Sequence, residues 1–408
     1  MEKRKQVKRK KWRRFRHHAV SSLLFPVIYL LVRIKYRFTP QRFKCDKKRN
    51  YLILLNHQTP FDQFFVGLSF RKSIYYVATE DIFSMGFLSS LIKWLVAPIP
   101  IKKKTTDIAA VMTCIRVAKE GGSIAIAPEG NRTYSGKTEY MAPVIASLAK
   151  KINLPIALYR IEGGYGVEPR WTDKLRKGKM CAYVSRVIEP EEYQSMSQDE
   201  LFKIIRDGLY VNEAVSDGEY RSKRRAEFLD RAMYVCPDCG LTVFKSHQNE
   251  IVCQSCQKTV EYGADKVLRG VGYEFPFTYV NDWYEYQQDY VNNLDLAKRC
   301  DAPIFSDSVT LFEVVVYKKK YCLRKSARLD LYGDRIEIDT NSEDPLILAF
   351  NEISTLAVLG RNKANIYTKD KVYQIKGDKH FNALKYVNFY HRYCNQKSGD
   401  INGKFLGI

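Results

Sequence analysis

The sequence predicts an α/β domain behind a membrane-associated helix, followed by a small cysteine-rich module and a β-rich barrel capped by a helix. Between residues 50 and 190, short apolar runs alternate with helical stretches, which is typical of a sheet with helices on its faces. Two Cys-x-x-Cys pairs follow within residues 234–262. From about residue 308 the hydrophobic period changes to two, the period of strands with one buried face. A chain of 408 residues can hold two or three domains, since domains usually have about 100–200 residues.

The chain is strongly basic, with a formal net charge of +22. The excess is concentrated at the N-terminus, where the first sixteen residues contain ten Lys or Arg and a single acid, Glu2. Such an excess favours an anionic partner, which could be nucleic acid, an acidic membrane surface or a phosphorylated substrate. Ten cysteines without the spacing of a small secreted disulfide protein indicate a reducing compartment.

The segment Ala19–Val32 is the most apolar stretch of the chain. A helix of these fourteen residues would be about 21 Å long, shorter than the roughly 30 Å of a hydrocarbon core, and Pro26 would kink it. The basic residues Arg33, Lys35 and Arg37 follow directly. These features predict a monotopic anchor on the cytoplasmic face of a membrane, held by anionic lipids. A buried amphipathic helix of a soluble domain is the alternative.

The α/β domain is predicted to alternate five strands with helices. Its strand-like runs are Tyr51–Leu55, Ile74–Ala78, Ser123–Ala127, Pro155–Ile161 and Cys181–Ile188. The clearest helical patterns are Asp107–Glu120 and Met141–Lys151. In such folds the chemistry usually lies in loops beyond the carboxyl ends of the strands, so these loops are where a site is expected.

The C-terminal part is predicted to be rich in strands. Its strand-like runs are Thr310–Tyr317, Ala327–Leu331, Arg335–Asp339, Leu346–Phe350, Asn365–Thr368 and Val372–Ile375. Gly333-Asp334 and Lys369-Asp370 are predicted hairpin turns. A final helix over residues 378–394 places apolar side chains on one stripe. Many short strands closed by one helix resemble a pleckstrin-homology-like barrel in architecture.

Asn56-His57-Gln58-Thr59-Pro60-Phe61-Asp62 directly follows the first predicted strand. Pro60 disfavours a continuous helix there and favours a turn. A turn can bring Asp62 back to the imidazole of His57, where a carboxylate fixes the tautomer and stabilises the imidazolium. His57 and Asp62 are therefore candidates for a general base and the residue that orients it. Taken alone, the motif is equally compatible with a capping Asp beside an incidental His.

Two further loops carry candidate phosphate-binding groups at strand ends. Pro128-Glu129-Gly130-Asn131-Arg132 follows the third predicted strand; its Gly allows close approach of the backbone, and the planar guanidinium of Arg132 suits phosphate. Upstream, Ile99-Pro100-Ile101-Lys102-Lys103-Lys104 places three cations at another strand end, with an ordinary solvated lysine run as the alternative. Two such loops beside a histidine indicate a phosphate-bearing substrate.

Together these motifs resemble those of the glycerolipid acyltransferase family, whose best-known members are the 1-acylglycerol-3-phosphate acyltransferases. The pair His57…Asp62 matches the family's His-x-x-x-x-Asp, and Pro128–Arg132 matches its later Pro-Glu-Gly-Asn-Arg block. The basic loop at 97–103 takes the place of the family's second block, and Leu154-Pro155-Ile156 that of the fourth. The resemblance covers roughly residues 20–215.

The resemblance implies direct acyl transfer without an acyl-enzyme. His57 would take the proton from the acceptor hydroxyl as this attacks the thioester carbonyl, and Asp62 would orient His57. The expected reaction moves a fatty acyl group from acyl-CoA or acyl carrier protein to the free hydroxyl of 1-acylglycerol 3-phosphate (lysophosphatidic acid). Phosphatidic acid for phospholipid synthesis would be the product, and no catalytic cofactor is expected. The residues expected to bind the acceptor's glycerol phosphate are Lys102, Lys103, Glu129, Gly130 and Arg132.

The blocks depart from the family pattern at several positions. The third block commonly opens with an aromatic residue, where this chain has Ala127. The fourth has Leu158-Tyr159 in place of a second proline. The second commonly has Gly, Phe and Arg, where this chain has Ala97, Pro100 and Lys103. The catalytic pair is intact, so the departures concern which acceptor headgroup is bound.

The two cysteine pairs, Cys236/Cys239 and Cys253/Cys256, are separated by thirteen residues. Four thiolates in two such knuckles complete a tetrahedral shell, which predicts one structural zinc ion in a zinc ribbon. The sequence between the pairs has the pattern of a β-hairpin, as a ribbon requires. A redox pair is disfavoured because no βαβ unit surrounds the cysteines.

The remaining segments connect these units. Residues 199–233 have a charged helical pattern, and the aromatic side chains of 263–305 are expected to pack between modules. The predicted division is a basic membrane anchor at 1–45, an acyltransferase domain at 46–215, a helical linker at 216–233, the zinc ribbon at 234–262, an aromatic-rich connector at 263–305 and a pleckstrin-homology-like domain at 306–408.

Three alternative functions follow from the same sequence. A basic tail and a zinc ribbon occur in nucleic-acid-binding proteins, but the densest positive charge adjoins the apolar segment and the ribbon is hardly basic, so no nucleic-acid partner is expected. An inactive membrane scaffold would bind a protein partner, unknown from sequence, through the ribbon and barrel. Within the enzyme class, glycerol 3-phosphate or another lysolipid would be the acceptor.

Overall fold

The structure, a computed structural model, describes residues 11–44, 46, 48–83, 86–101, 107–315, 320–339 and 343–399. Its first element is helix α1, Phe15–Tyr36, which has 22 residues and contains Pro26 without a break. At 1.5 Å per residue this helix is about 33 Å long, so the expectation of a fourteen-residue helix too short to cross a membrane is wrong. The basic and aromatic residues that flank the apolar segment continue the helix to Tyr36. By length and composition α1 could cross a membrane.

A six-stranded sheet follows α1, in the order β3-β2-β4-β1-β5-β6. The first five strands are parallel, and β6 pairs antiparallel with β5 at one edge. This confirms the predicted α/β fold. The strands are β1 Leu52–Leu55, β2 Ile74–Thr79, β3 Ile99–Ile101, β4 Ser123–Ile126, β5 Ile156–Glu162 and β6 Cys181–Ile188.

Helices cover both faces of this sheet. Alternate residues of β1 divide between two cores: Leu52 and Leu54 face one side, where helices from 108–209 pack, whereas Ile53 and Leu55 face α1 and the helix at 62–70. Neither that helix nor the one at 87–96 was predicted, because each is short and lies within a largely apolar stretch. The helices are α2 Asp62–Phe70, α3 Phe87–Val96, α4 Ile108–Lys119, α5 Val144–Ile152, α6 Gly164–Val167, α7 Pro190–Tyr193 and α8 Gln198–Leu209.

The prediction of a helical linker at 216–233 is wrong. Its described secondary structure is limited to a single 3₁₀ turn, Leu229–Arg231, and an isolated bridge between Arg221 and Lys177. The backbone bonds to neighbouring segments instead of to itself, as when Tyr220 N–H donates to Ala264 O (2.7 Å). The helical pattern was misleading because the burial of Tyr220 and the residues near it depends on these long-range contacts.

The cysteine-rich module contains six short strands. β9 and β10 form the predicted antiparallel hairpin between the cysteine pairs, and β10, β11 and β12 extend it into a four-stranded sheet. The strands are β7 Val235–Cys236, β8 Gly240–Leu241, β9 Phe244–His247, β10 Glu250–Cys253, β11 Thr259–Tyr262 and β12 Leu268–Gly270. Helix α9, Val280–Asn292, and a 3₁₀ turn, Leu296–Arg299, follow.

The C-terminal sheet has seven antiparallel strands in the order β16-β15-β14-β13-β19-β18-β17. The predicted barrel is therefore a curled sheet whose described ladder ends at β16 and β17. A strand at 353–359 was not predicted, since all its residues except Ser354 are buried and it therefore lacks the period of two. The elements are β13 Phe305–Glu313, β14 Tyr321–Leu331, β15 Arg335–Ile338, β16 Leu346–Ala349, β17 Ile353–Leu359, β18 Lys363–Thr368, β19 Val372–Lys376 and helix α10 Ala383–Ser398.

One hydrophobic core joins the cysteine-rich module, α9 and the C-terminal sheet. Cys236, Trp283, Leu329 and Val387 all belong to it, and Trp171 of the α/β domain packs against the same cluster. The aromatic side chains of the connector pack there, as expected: Trp283 Nε1 donates to Val235 O (2.8 Å). The C-terminal sheet is thus held against the rest of the chain by buried side chains.

Candidate active site

His57 lies just beyond the carboxyl end of β1, the strand between β4 and β5. Asn56 fixes this end of the strand: its Nδ2 donates to Ile161 O (2.8 Å) and its Oδ1 accepts from Ile161 N–H (2.8 Å). Because β1 and β4 are parallel neighbours, the loops that follow them meet at one edge of the sheet. This edge brings the His57 motif beside the Pro128–Arg132 loop, as the spacing of the motifs predicted.

The turn at 57–62 folds Asp62 back onto His57. His57 Nδ1 lies 2.8 Å from Asp62 Oδ2, and Asp62 is the first residue of α2. The same carboxylate accepts from the backbone N–H groups of Gln58 (2.7 Å) and Thr59 (2.9 Å) and from Thr59 Oγ1 (2.7 Å). With Nδ1–H donating to the carboxylate, Nε2 of His57 is left as a proton acceptor.

This pair differs in exposure in the way a base and its orienting group should. The side chain of Asp62 is 1% exposed, whereas that of His57 is 26% exposed and lines a cavity. A buried carboxylate with several donors keeps a fixed position, so the ring of His57 is presented to the cavity in one orientation. The arrangement can remove a proton from a hydroxyl bound in the cavity.

Glu129 sits behind His57 and does not line the cavity. The resemblance assigned it to the acceptor's phosphate, yet its two carboxylate oxygens accept from the backbone N–H groups of His57 (2.8 Å) and Glu139 (2.8 Å). Burial raises the pKa of Glu129 to about 8, against the opposing effect of these hydrogen bonds. In this structure Glu129 holds the backbone of His57 by a hydrogen bond.

Gly130 and Arg132 do line the cavity. Gly130 has a φ of +69° and open space where a Cβ would be, so a substrate can approach its backbone. Burial lowers the pKa of Arg132 to about 10, which leaves it charged at neutral pH. Among the described residues, no hydrogen-bond partner is found for its buried Nε and Nη2. These donors are available to an anion.

Sequence reasoning missed Arg170, which holds the Arg132 loop. Arg170 Nη1 donates to Arg132 O (2.8 Å) and Nη2 to Asn131 Oδ1 (3.4 Å), and its guanidinium lies 4.2 Å from the centre of the Tyr134 ring. A signal for it existed in the sequence, since Arg170 lies in the segment after the strand β5, at the same edge of the sheet. Lys102 and Lys103, the other predicted phosphate ligands, lie outside the described residues.

The cavity has a volume of about 1700 Å³ and two chemically different parts. His57, Asp62, Gly130 and Arg132 line the polar part, together with charged side chains that include Glu168, Arg170 and Arg361. The rest is largely apolar, with walls from α1, α3, α4 and α5, among them Leu24, Ile28, Ile92, Leu95, Val111 and Leu148. A site of this shape can hold a polar headgroup and an aliphatic chain together.

The surface beside the cavity is apolar and exposed. The side chains exposed on α1 and α3 include Phe15, Leu23, Val27, Leu30, Leu31, Ile34, Phe87, Leu88, Leu91 and Trp94. The two helices touch where Arg16 Nε donates to Trp94 O (2.9 Å). Exposed apolar patches of this extent are typical of membrane or protein contacts.

The second candidate site is formed by Cys236, Cys239, Cys253 and Cys256. Their Sγ atoms all lie within 4.8 Å of one another, and Cys236 Sγ and Cys256 Sγ are 3.9 Å apart. A tetrahedral zinc ion with Zn–S bonds of about 2.3 Å places its sulfurs about 3.8 Å apart. The four cysteines therefore fit a metal ion, as their spacing predicted. His247 lies on the hairpin at β9 and is exposed.

One family model matches the part of the chain that contains the first site. Residues 35–159 match a family model described as Acyltransferase. No curated protein matches the chain. Among solved structures, the chain is similar to the 1-acyl-sn-glycerophosphate (LPA) acyltransferase PlsC from Thermotoga maritima, with 20% identity and a TM-score of 0.38 over 46% of this chain and 78% of that one. It is also similar to the N-terminal PH domain of human ARAP2, with 18% identity and a TM-score of 0.19 over 23% of this chain and 82% of that one.

Proposed function

We propose that the chain transfers a fatty acyl group from a thioester to the free hydroxyl of 1-acylglycerol 3-phosphate, because residues 35–159 match a family model described as Acyltransferase. The product is phosphatidic acid. One observation carries this proposal: the His57–Asp62 pair and the unpartnered guanidinium donors of Arg132 line the same cavity as a large apolar wall. Base, phosphate ligand and chain-binding surface are the three parts that this reaction needs.

In the proposed reaction, Nε2 of His57 takes the proton from the acceptor hydroxyl as its oxygen attacks the thioester carbonyl. The new C–O bond forms and the C–S bond breaks, and the proton passes from His57 to the departing thiolate. Asp62 orients the ring and stabilises its charge. Gly130 and Arg132 bind the acceptor's phosphate with Lys102 or Lys103, and Glu129 positions the backbone of His57. The donor is acyl-CoA or acyl carrier protein.

We further propose that the catalytic domain, residues 46–215, works on the cytoplasmic surface of a membrane. The exposed apolar side chains of α1 and α3 support this placement, because they lie beside the apolar part of the cavity and the proposed acceptor, lysophosphatidic acid, resides in the bilayer. Basic residues at 1–45 would bind anionic lipids. We propose a monotopic arrangement, in which α1 lies along the membrane–water interface so that α3 can enter the interface too.

We also propose that Cys236, Cys239, Cys253 and Cys256 hold one structural zinc ion. Four thiolates leave no open coordination position for a substrate, so this metal would stabilise the fold of residues 234–262. Residues 263–305 would connect this ribbon to a pleckstrin-homology-like module at 306–408.

Product formation by purified protein in liposomes tests the proposed reaction. Wild type, His57→Ala and the matched control His247→Ala, which changes an exposed histidine of the hairpin, are each given lysophosphatidic acid with acyl-CoA or acyl carrier protein. Mass spectrometry should detect phosphatidic acid from wild type and His247→Ala. Loss of the base should reduce the rate by about 10²–10⁴-fold.

Acceptor panels separate this reaction from its alternatives. Product from glycerol 3-phosphate or another lysolipid, but not from lysophosphatidic acid, would keep His57 as the base and change the acceptor. Equal rates for wild type and His57→Ala would refute the assignment of the base. If no acceptor gives a product with either donor, the proposed enzymatic activity is contradicted and a membrane scaffold is favoured.

A further inference from the structure

A hairpin turn of the C-terminal sheet forms part of the wall of the catalytic cavity. The turn joins β17 to β18, and Gly360, Arg361 and Asn362 line the cavity together with His57 and Arg132. Gly360 has a φ of +63°, which allows the tight reversal. The turn is also held from within its own sheet.

Asn362 supplies that support. Its Nδ2 donates to Gly377 O (3.0 Å) and to Asp378 O (2.7 Å), and its carbonyl oxygen accepts from Gly377 N–H (3.2 Å). The turn is therefore a rigid extension of the sheet, and its position at the cavity is fixed by the same packing that holds the sheet.

Arg361 uses this position to bridge two carboxylates of the α/β domain. Its Nη2 donates to Glu168 Oε1 (2.8 Å), and its Nη1 lies 2.8 Å from Asp173 Oδ1. Both acids belong to the segment that follows β5, and Asp173 also receives two hydrogen bonds from Arg231 (3.0 Å each). Without Arg361 both oxygens of Asp173 keep a hydrogen bond from Arg231, whereas Oε1 of Glu168 has no other hydrogen-bond partner among the described residues.

Glu168 is buried, with 4% of its side chain exposed, and it has partners from two parts of the chain, α1 and the β17–β18 turn. Its Oε2 receives a hydrogen bond from Tyr36 (2.5 Å) and lies 3.2 Å from Lys35 Nζ, both on α1. Its Oε1 is bound by Arg361. Without Arg361, Oε1 would lose its hydrogen bond in a buried site, where an unsatisfied carboxylate oxygen is costly, so it would attract a cation within reach.

Arg132 is the cation that Glu168 would attract. Among the charged groups around Arg132, Glu168 has the largest effect on its pKa, and both side chains line the same cavity. Arg132 keeps Nε and Nη2 without a partner in the described part of the chain. Occupation of Glu168 Oε1 by Arg361 leaves those donors for a ligand.

We propose that Arg361 is a positioning residue for acceptor binding: by holding Glu168, the C-terminal sheet keeps the guanidinium of Arg132 free for the acceptor's phosphate. This inference rests on the proposed function for the identity of the acceptor. It makes the C-terminal sheet a part of the acceptor site, although the sheet contributes no group to the acyl transfer itself.

Kinetics with lysophosphatidic acid as the varied substrate provide the first test. Arg361→Ala should raise KM by roughly tenfold, the factor expected for about 1.4 kcal/mol of lost phosphate binding, with a much smaller effect on kcat. Arg361→Lys should fall between wild type and Arg361→Ala, since an ammonium cannot span both acids as a planar fork does. Lys369→Ala, in the exposed turn between β18 and β19, is the control and should match wild type.

The double variant Arg361→Ala/Glu168→Gln distinguishes positioning from a merely structural role. Removal of the carboxylate that would capture Arg132 should restore KM toward the wild-type value, although the double variant lacks more contacts than the single one. A structural role predicts the opposite, a KM further from wild type. Thermal unfolding of every variant is measured alongside, and Arg361→Gln replaces Arg361→Ala if the latter does not fold.

A binding measurement separates this inference from the proposed reaction. Glycerol 3-phosphate is titrated calorimetrically into wild type, Arg361→Ala and the double variant without acyl donor. Weaker binding by the single variant and recovery in the double variant support the inference even if no turnover is found. Unchanged KM and unchanged glycerol 3-phosphate affinity in Arg361→Ala would overturn it while leaving the His57 assignment intact. Absence of binding by wild type would also overturn it.

Discussion

At the scale of single residues, two carboxylates beside His57 have different roles because they have different partners. Asp62 bonds to the imidazole and to the turn that carries it. Glu129 bonds to the backbone N–H of His57 and to that of Glu139. The ring and the backbone of the base are therefore fixed separately. Glu129 can do this without touching a substrate, which explains how an acidic residue can lie beside Arg132, the arginine that we propose binds the acceptor's phosphate.

The pH dependence of stability should reveal Glu129. Its pKa is raised from 4.5 to about 8 because it is buried. The folded state therefore favours the protonated form, and this contribution to the free energy of unfolding is full below about pH 4.5 and is lost as the pH rises through about 8. Glu129→Gln cannot ionise, so between these pH values its free energy of unfolding should fall less steeply than that of wild type. Denaturant unfolding in detergent at several pH values measures the two slopes.

Glu352→Gln is the matched control, because Glu352 lies in an exposed turn of the C-terminal sheet. Its slope should equal that of wild type. At low pH Glu129→Gln should be less stable than wild type by about 1–3 kcal/mol, since an amide cannot accept both backbone hydrogen bonds, and this difference should narrow as the pH rises. Parallel curves for wild type and Glu129→Gln would show that Glu129 does not titrate in this range.

At the scale of elements, the sequence predicted what depends on local pattern. The five predicted strands of the α/β domain lie within two residues of the observed ones, because short apolar runs between helical stretches identify the strands of an α/β sheet. The strand at 353–359 was missed, since a strand in which Ser354 alone is exposed has too little polar alternation to distinguish it from a helix. The prediction for the segment at 216–233 was wrong for the opposite reason. Its charged pattern resembles that of a helix, but its backbone forms hydrogen bonds to neighbouring segments.

Helices α1 and α3 should bind membranes through their exposed apolar side chains. Leu30 on α1 is 58% exposed and Trp94 on α3 is 54% exposed. Leu30→Glu or Trp94→Glu should lower the liposome-bound fraction, with a fall in the partition coefficient of roughly tenfold or more, because burial of such a side chain contributes about 1.5–3 kcal/mol. Flotation with anionic liposomes measures this.

Ile347→Glu provides the control for these variants. Ile347 lies on β16 of the C-terminal sheet and is similarly exposed, at 51%, so its replacement should leave flotation unchanged. A decrease for Leu30→Glu alone would assign membrane binding to α1 only. Flotation of both α1 and α3 variants at the wild-type level would refute the membrane placement of this surface.

At the scale of the whole molecule, the site depends on contacts that no local pattern contains. His57, Asp62 and Arg132 were predictable because strand ends of one sheet bring their motifs together. Arg361 is separated by 193 residues from Glu168, and nothing near it in sequence suggests a site. Its contact exists because the cysteine-rich module, α9 and the C-terminal sheet share one core, which places the β17–β18 turn at the cavity. The division into modules predicted from sequence therefore understates how far the parts depend on each other.

That shared core leads to a prediction about the metal. Cys253→Ser should reduce the zinc content from about one ion per chain toward zero, because three thiolates bind the ion less tightly than four. Since Cys236 and Cys253 are buried in the core that also holds Leu329 of the C-terminal sheet, the temperature of unfolding should fall. The turn that carries Arg361 should then lose its fixed position, so KM for lysophosphatidic acid should rise more than kcat falls.

Cys322→Ser is the control, because Cys322 is an exposed cysteine of β14. It should leave zinc content, unfolding temperature and KM unchanged. If Cys253→Ser loses zinc but keeps the wild-type KM, the catalytic cavity is held independently of the metal, and the proposed dependence of the acceptor site on the C-terminal core is wrong.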